Sequence, residues 1–176
     1  MKTIYYTATT LDGFLADEND NLDWLLKQPQ DPDESGFDYE RFMTGVGALV
    51  MGSTTYRWVV DHHEWPYTLP TWVLSTRDQP DVPGAGIRFA RGPVADLHPA
   101  VVEAAQGRNV WVVGGGDLAG QYADVGLLDE IVVSIAPVTL GAGRPLFPRR
   151  FDLDLLETGR NAGFVCARYR VAGVLS

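Results

Sequence analysis

Cysteine is nearly missing from these 176 residues: Cys166 is the one thiol, so no disulfide can close within the chain. Its apolar neighbours Phe164 and Val165 mark it as a core thiol on a strand rather than a nucleophile. His62-His63-Glu64 holds the H-x-E half of a zinc deaminase signature, but the Pro-Cys-x-x-Cys half needs two cysteines. Metal-dependent deamination is therefore excluded, these histidines read as surface residues, and no metal site is expected. Basic residues are also short, fourteen against twenty-three acidic, and the net charge of −9 opposes binding to nucleic acid or to an anionic membrane surface. Apolar runs stay strand-sized, and the first residues lack a leader's apolar core and cleavage site, so a cytoplasmic protein is expected. No Gly-Lys-Ser/Thr follows a glycine loop, which excludes a P-loop. No linker divides the chain, which reads as one domain over residues 1–176.

What is present centres on Val110-Trp111-Val112-Val113-Gly114-Gly115-Gly116-Asp117-Leu118. Four apolar residues make a strand buried on both faces, and three glycines let the chain turn without Cβ clashes into a helix. Unpaired backbone N–H groups and the helix dipole at such a turn favour a phosphate or pyrophosphate, against the competing reading of a simple tight turn. Rossmann spacing is not met, because Gly120 falls one residue late after Gly114 and Gly116. A second candidate anion site follows the buried strand at 48–51, where Gly52-Ser53-Thr54-Thr55 starts another helix with Ser/Thr caps. A third core strand, 71–75, ends at Ser75-Thr76-Arg77, on the side where open α/β sheets face their ligands.

Around these, residues 2–9 read as a central opening strand, 10–13 as a turn, 17–21 as a solvated acidic loop and 22–26 as an apolar plug. Residues 28–36 read as a surface connection and 37–43 as a helix ended by Gly45 or Gly47. Then come a Pro/Gly loop at 81–86, a short strand at 87–90, a helix over 96–106 with Pro99 near its first turn, and a long strand over 127–137. A loop over 139–148 precedes two antiparallel strands near 153–159 and 164–171. Alternation of strands and helices with a strand-only ending defines a three-layer α/β domain.

Four ordered motifs resemble the C-terminal reductase domain of the bacterial bifunctional riboflavin biosynthesis protein. They are Ala8-Thr9-Thr10-Leu11-Asp12-Gly13-Phe14-Leu15-Ala16, Val50-Met51-Gly52-Ser53-Thr54-Thr55-Tyr56, Val112-Val113-Gly114-Gly115-Gly116-Asp117-Leu118 with Leu127-Leu128-Asp129-Glu130-Ile131 after it, and Ala136-Pro137-Val138-Thr139-Leu140-Gly141-Ala142-Gly143-Arg144-Pro145-Leu146-Phe147. The resemblance implies a three-layer α/β/α dihydrofolate reductase-like fold, with a mostly parallel central sheet and antiparallel C-terminal strands. It also implies a homodimer and an NADPH-dependent reductase that passes a hydride to a small heterocycle such as a pterin, a folate or a ribosylaminopyrimidine.

By the same resemblance, NADPH lies between the loop Val113-Gly114-Gly115-Gly116-Asp117-Leu118 and the turn Gly52-Ser53-Thr54-Thr55. Gly114–Gly115 would be a cis peptide at the pyrophosphate. Ala8, Leu15 and Ala16 would line the nicotinamide, and Ser75-Thr76-Arg77 would meet the adenosine 2′-phosphate. The family often carries arginine where this chain has Ser53, which leaves Arg77 to grip that phosphate. Trp24 is similar to the tryptophan of the loop beside the substrate, and Ser134 to a hydroxyl facing it. Asp38 and Glu40 are the candidate proton donors, with a solvated helix charge as the competing reading of each. A nucleotide-binding module of the same fold without turnover is the alternative to the reductase.

Overall fold

Ten strands and five helices follow one another in the computed structural model, which describes residues 1–29 and 37–175. Most of the expected surface connection, residues 30–36, lies outside the described residues. Chain order is β1 (Thr3–Thr10), β2 (Phe14–Ala16), α1 (Asp23–Leu26), α2 (Tyr39–Thr44), β3 (Val46–Gly52), α3 (Ser53–His62), β4 (Thr71–Leu74) and β5 (Ile87–Ala90). There follow α4 (Val94–Ala105), β6 (Asn109–Gly114), α5 (Gly116–Asp124), β7 (Glu130–Ala136), β8 (Arg144–Pro145), β9 (Phe151–Asn161) and β10 (Phe164–Val174).

Eight strands form one sheet in the order β5-β4-β3-β6-β1-β7-β10-β9. The six from β5 to β7 are parallel, and β10 and β9 join antiparallel at the C-terminal side, as the resemblance implied. Continuous apolar runs in β3, β6 and β7 suit strands covered on both faces. Alternate residues go to opposite faces: Val50, Val110 and Val112 pack with Val101 and Ala105 of α4 and Leu118 and Tyr122 of α5. Leu49, Met51, Val73 and Trp111 pack with Tyr56 of α3. A third cluster joins Ile4, Val132 and Phe164 of the sheet to Trp24 of α1 and to Phe37. The result is helix, sheet, helix, the expected three layers.

Three local expectations need correcting. The fourth helix starts at Val94 after an extended Pro93, so Pro99 falls in its interior rather than its first turn. Pro99 and Ala95, the residue four back whose carbonyl it leaves without an amide, are both exposed, so water can serve that carbonyl. The strand expected from 127 begins at Glu130, because Leu127 and Gly126 are held by the carbonyls of Tyr122 and Ala123 as the exit of α5. Ser53, Thr54 and Thr55 are the first turn of α3 and not its cap, since Gly52 holds the N-cap position with no side-chain cap bond. Among the described residues no helix is long and apolar enough to cross a membrane.

Candidate functional site

A cleft opens at the C-terminal ends of β1, β3, β4 and β6, where two helices begin. Its larger lobe has a volume of 680 Å³ and is walled by the first turns of α3 and α5. Neither N-terminus is capped by a side chain, since Gly52 and Gly115 occupy the cap positions. Backbone N–H groups and two dipole ends therefore address the same space. The Gly114–Gly115 peptide is cis. A Cβ added at Gly115 would meet nothing within 4 Å, whereas one at Gly116 would lie 2.4 Å from the carbonyl oxygens of both Pro145 and Leu146. So Gly115 borders the cavity and Gly116 lets the β8 segment close against α5. Arg144 of β8 donates Nε to Asp20 Oδ1 at 2.6 Å and a second nitrogen to Asp20 Oδ2 at 3.1 Å, fastening the 17–21 loop over this lobe.

Ala8, Leu15, Ala16, Gly52, Ser53, Thr54, Thr55, Ser75, Thr76, Val113, Gly114, Gly115, Gly116, Asp117 and Leu118 all line this lobe. Arg77 does not. It lies in an adjoining depression of 830 Å³ with Arg57, and the two spaces share Ser53, Thr54, Ser75 and Thr76. Asp117 is held below the usual carboxylate range by hydrogen bonding from Gln121 and then by Arg149.

A second lobe of 540 Å³ opens from the first through shared walls at Thr7, Ala8, Leu22, Leu25, Thr55, Trp58 and Val113. Its sides are aromatic: Tyr6 stacks on Phe42 at 4.3 Å between centroids, and both rings meet Trp111 edge-on. Burial pushes the Tyr6 phenol up to about 12, and burial raises Tyr39 and Tyr67 as well. Ser134 lines this lobe beside Cys166 Sγ at 3.5 Å, as do the buried Asn161 and the carboxylates Asp38 and Glu40. Asp38 is the N-cap of α2, with Oδ1 accepting from the Glu40 amide at 3.0 Å and Oδ2 from the Arg41 amide at 2.9 Å.

Trp24 stands apart from both lobes. It is 7% exposed beneath them among Ile4, Phe37 and Val132, and its indole nitrogen has no partner among the described residues. Leu22 and Leu25 on either side of it line the lobes instead. Trp58 borders both, and helical spacing from Thr54 and Thr55 was the available signal for it. Arg144 and Arg91 carried no such spacing, because β8 and the residues just after β5 bring them in from outside the α3 segment. No group of three or more His, Cys, Asp or Glu side chains among the described residues could hold a metal ion.

Comparison with known proteins gives a consistent picture. The family model described as the RibD C-terminal domain matches residues 1–158. Bacillus subtilis YwjB is 30% identical over 147 residues, covering 83% of this chain and 82% of YwjB. Among solved structures, a Shewanella sp. PV-4 protein named for riboflavin biosynthesis is 28% identical with a TM-score of 0.80, covering 97% of this chain and 99% of that one. Acinetobacter baumannii RibD shares the fold, with a TM-score of 0.72 at 16% identity, and this chain spans 58% of it.

Proposed function

The chain belongs to the RibD C-terminal domain family, and on that footing we propose that it is an NADPH-dependent reductase acting on a small heterocyclic molecule. The observation that carries the reading is the two-lobed cleft: one lobe bounded by two uncapped helix N-termini, the other aromatic, joined at Thr7, Ala8, Thr55 and Val113. The residues fit a dinucleotide. Backbone N–H groups at Gly52–Thr55 and Gly115–Leu118 suit pyrophosphate oxygens, and the open space at Gly115 leaves room for them. Arg77, with Arg57 beside it, would meet an adenosine 2′-phosphate in the adjoining depression. Bound there, NADPH supplies a hydride. Ala8 at the joint between the lobes and Leu15 and Ala16 within the larger lobe give apolar walls that exclude water, and Ser134 offers a hydroxyl to the substrate side. The accompanying proton comes from Glu40 or Asp38, or from solvent at the lobe's mouth.

The same reading makes residues 1–176 one cytoplasmic domain working on a small molecule, without nucleic-acid or membrane partners. We also propose a homodimer through the apolar ribbon of β9 and β10.

The test is NADPH consumption with a panel of pterins, folates and ribosylaminopyrimidines, alongside cofactor titration of tryptophan emission, for which Trp58 and Trp111 stand at the cleft. Turnover with at least one compound and a saturable emission change are expected. Cofactor binding without turnover on the whole panel would favour the module reading, which draws support from the engagement of both Asp38 oxygens in capping α2. A flat titration with folded protein would remove the cofactor.

A further inference from the structure

Resting on the reductase reading, we propose that the substrate of this cleft is a planar heterocycle without a phosphate group, neutral or cationic, and not a phosphoribosyl compound. The cations of the cleft are partitioned. Arg91 and Arg144 border the larger lobe, and Arg57 and Arg77 the depression beside it. Among the described residues, no lysine or arginine lines the aromatic lobe.

A phosphate monoester carries about −1.5 to −2 charges near neutral pH and needs cations or unpaired N–H groups to replace its water. The start of the six-residue α2 borders the aromatic lobe, and Asp38 already occupies it with both carboxylate oxygens; the α3 start, which faces the larger lobe, reaches this one only at Thr55. Glu40 adds a second negative charge to the same wall. A phosphate placed here would face carboxylates, while one placed in the larger lobe would compete with the cofactor's own.

What the lobe does offer suits an uncharged ring system. Tyr6, Tyr39, Tyr67, Trp58 and Trp111 present ring faces and edges, and the three phenols are neutral hydrogen-bonding groups near neutral pH. Thr7, Ser134 and Asn161 add polar atoms that can read the edge of a heterocycle. The volume of 540 Å³ lies within the range of sites that enclose small organic ligands.

The test uses the full chain saturated with NADP⁺, so that the phosphate-binding lobe is filled. Calorimetry measures binding of an aminouracil ribonucleoside, its phosphate monoester and a pterin, and NADPH consumption is followed separately for each. The nucleoside is expected to bind roughly tenfold or more tighter than its monoester, the scale set by two charges facing carboxylates in a partly hydrated cleft. Equal or tighter binding of the monoester overturns the proposal. So does failure of both the nucleoside and the pterin to bind while NADP⁺ is held. Binding of the unphosphorylated compounds with no NADPH consumption would remove the reductase reading, yet support the assigned chemistry of the lobe.

Discussion

Gly115 and Gly116 are adjacent, and their environments differ completely. At Gly115 the backbone φ of −88° suits any residue and the space beyond is open, so a side chain there would project into the cavity and collide with a bound pyrophosphate. Gly115→Val should keep its melting temperature within a few degrees and weaken NADPH about a hundredfold or more, near 3 kcal/mol. Calorimetry beside thermal melting checks this, and retained affinity would take Gly115 out of the site. Gly116→Ala should behave the other way, destabilising the protein by about 1–3 kcal/mol, because its Cβ meets two carbonyl oxygens that belong to backbone. The strand, glycine turn and helix start were readable because their chemistry is local. Which glycine borders open space and which faces the 145–146 backbone was not readable, since that depends on a segment docked from elsewhere in the chain.

At the scale of elements, Asp12 clips two loops together. It accepts from Thr10 Oγ1 at 2.5 Å and from the amides of Gly141 at 2.7 Å and Leu140 at 2.9 Å, and so ties the β1–β2 turn to the loop leading into β8. The Thr10 hydroxyl, with those backbone amides, holds the Asp12 carboxyl below its ordinary value. A lowered folded-state value means that the contribution is present above the unfolded value of about 3.9 and is lost as pH falls through the folded one. Asp12→Asn should therefore melt lower than wild type at neutral pH, and the gap should close in acid below about pH 4. Melting curves across pH check this, and a gap independent of pH would count against the clip. Strand and helix types along the chain were readable because apolar periodicity is set by burial. The start of α4 was misplaced because Pro99 reads as a first-turn residue by rule, while an exposed face tolerates it inside the helix. Asp12 went unnoticed as a clip because the loop it holds, at Leu140 and Gly141, lies more than a hundred residues away.

For the molecule as a whole, the C-terminal ribbon leaves apolar surface uncovered. Leu155 is 58% exposed, Val165 61% and Val174 71%, and β9 ends the sheet with one side unpaired by any described strand. An eleven-residue edge strand carrying the exposed Leu153, Leu155 and Leu156 is the kind of surface that a second copy covers. Light scattering at micromolar concentration should give twice the 19.3 kDa chain mass, and Leu155→Glu should return it to one chain. A wild-type mass of 19.3 kDa would overturn the dimer. The family resemblance pointed to a dimer from sequence, while the leucines of β9 gained their place only once the register set Leu155 opposite Tyr169 and Leu153 opposite Val171.

β1 opens the chain yet stands between β6 and β7, so Thr3 pairs with Val110 and Ile4 with Glu130. During synthesis or refolding this first strand has no lasting neighbour until most of the chain has followed it, and pairings so remote in sequence close slowly. The cleft inherits that order of events, because its walls at Thr7, Thr55 and Val113 meet only when β1, β3 and β6 lie side by side. A ligand of this cleft would thus recognise only molecules in which these three strands have already assembled, drawing them out of any less folded pool.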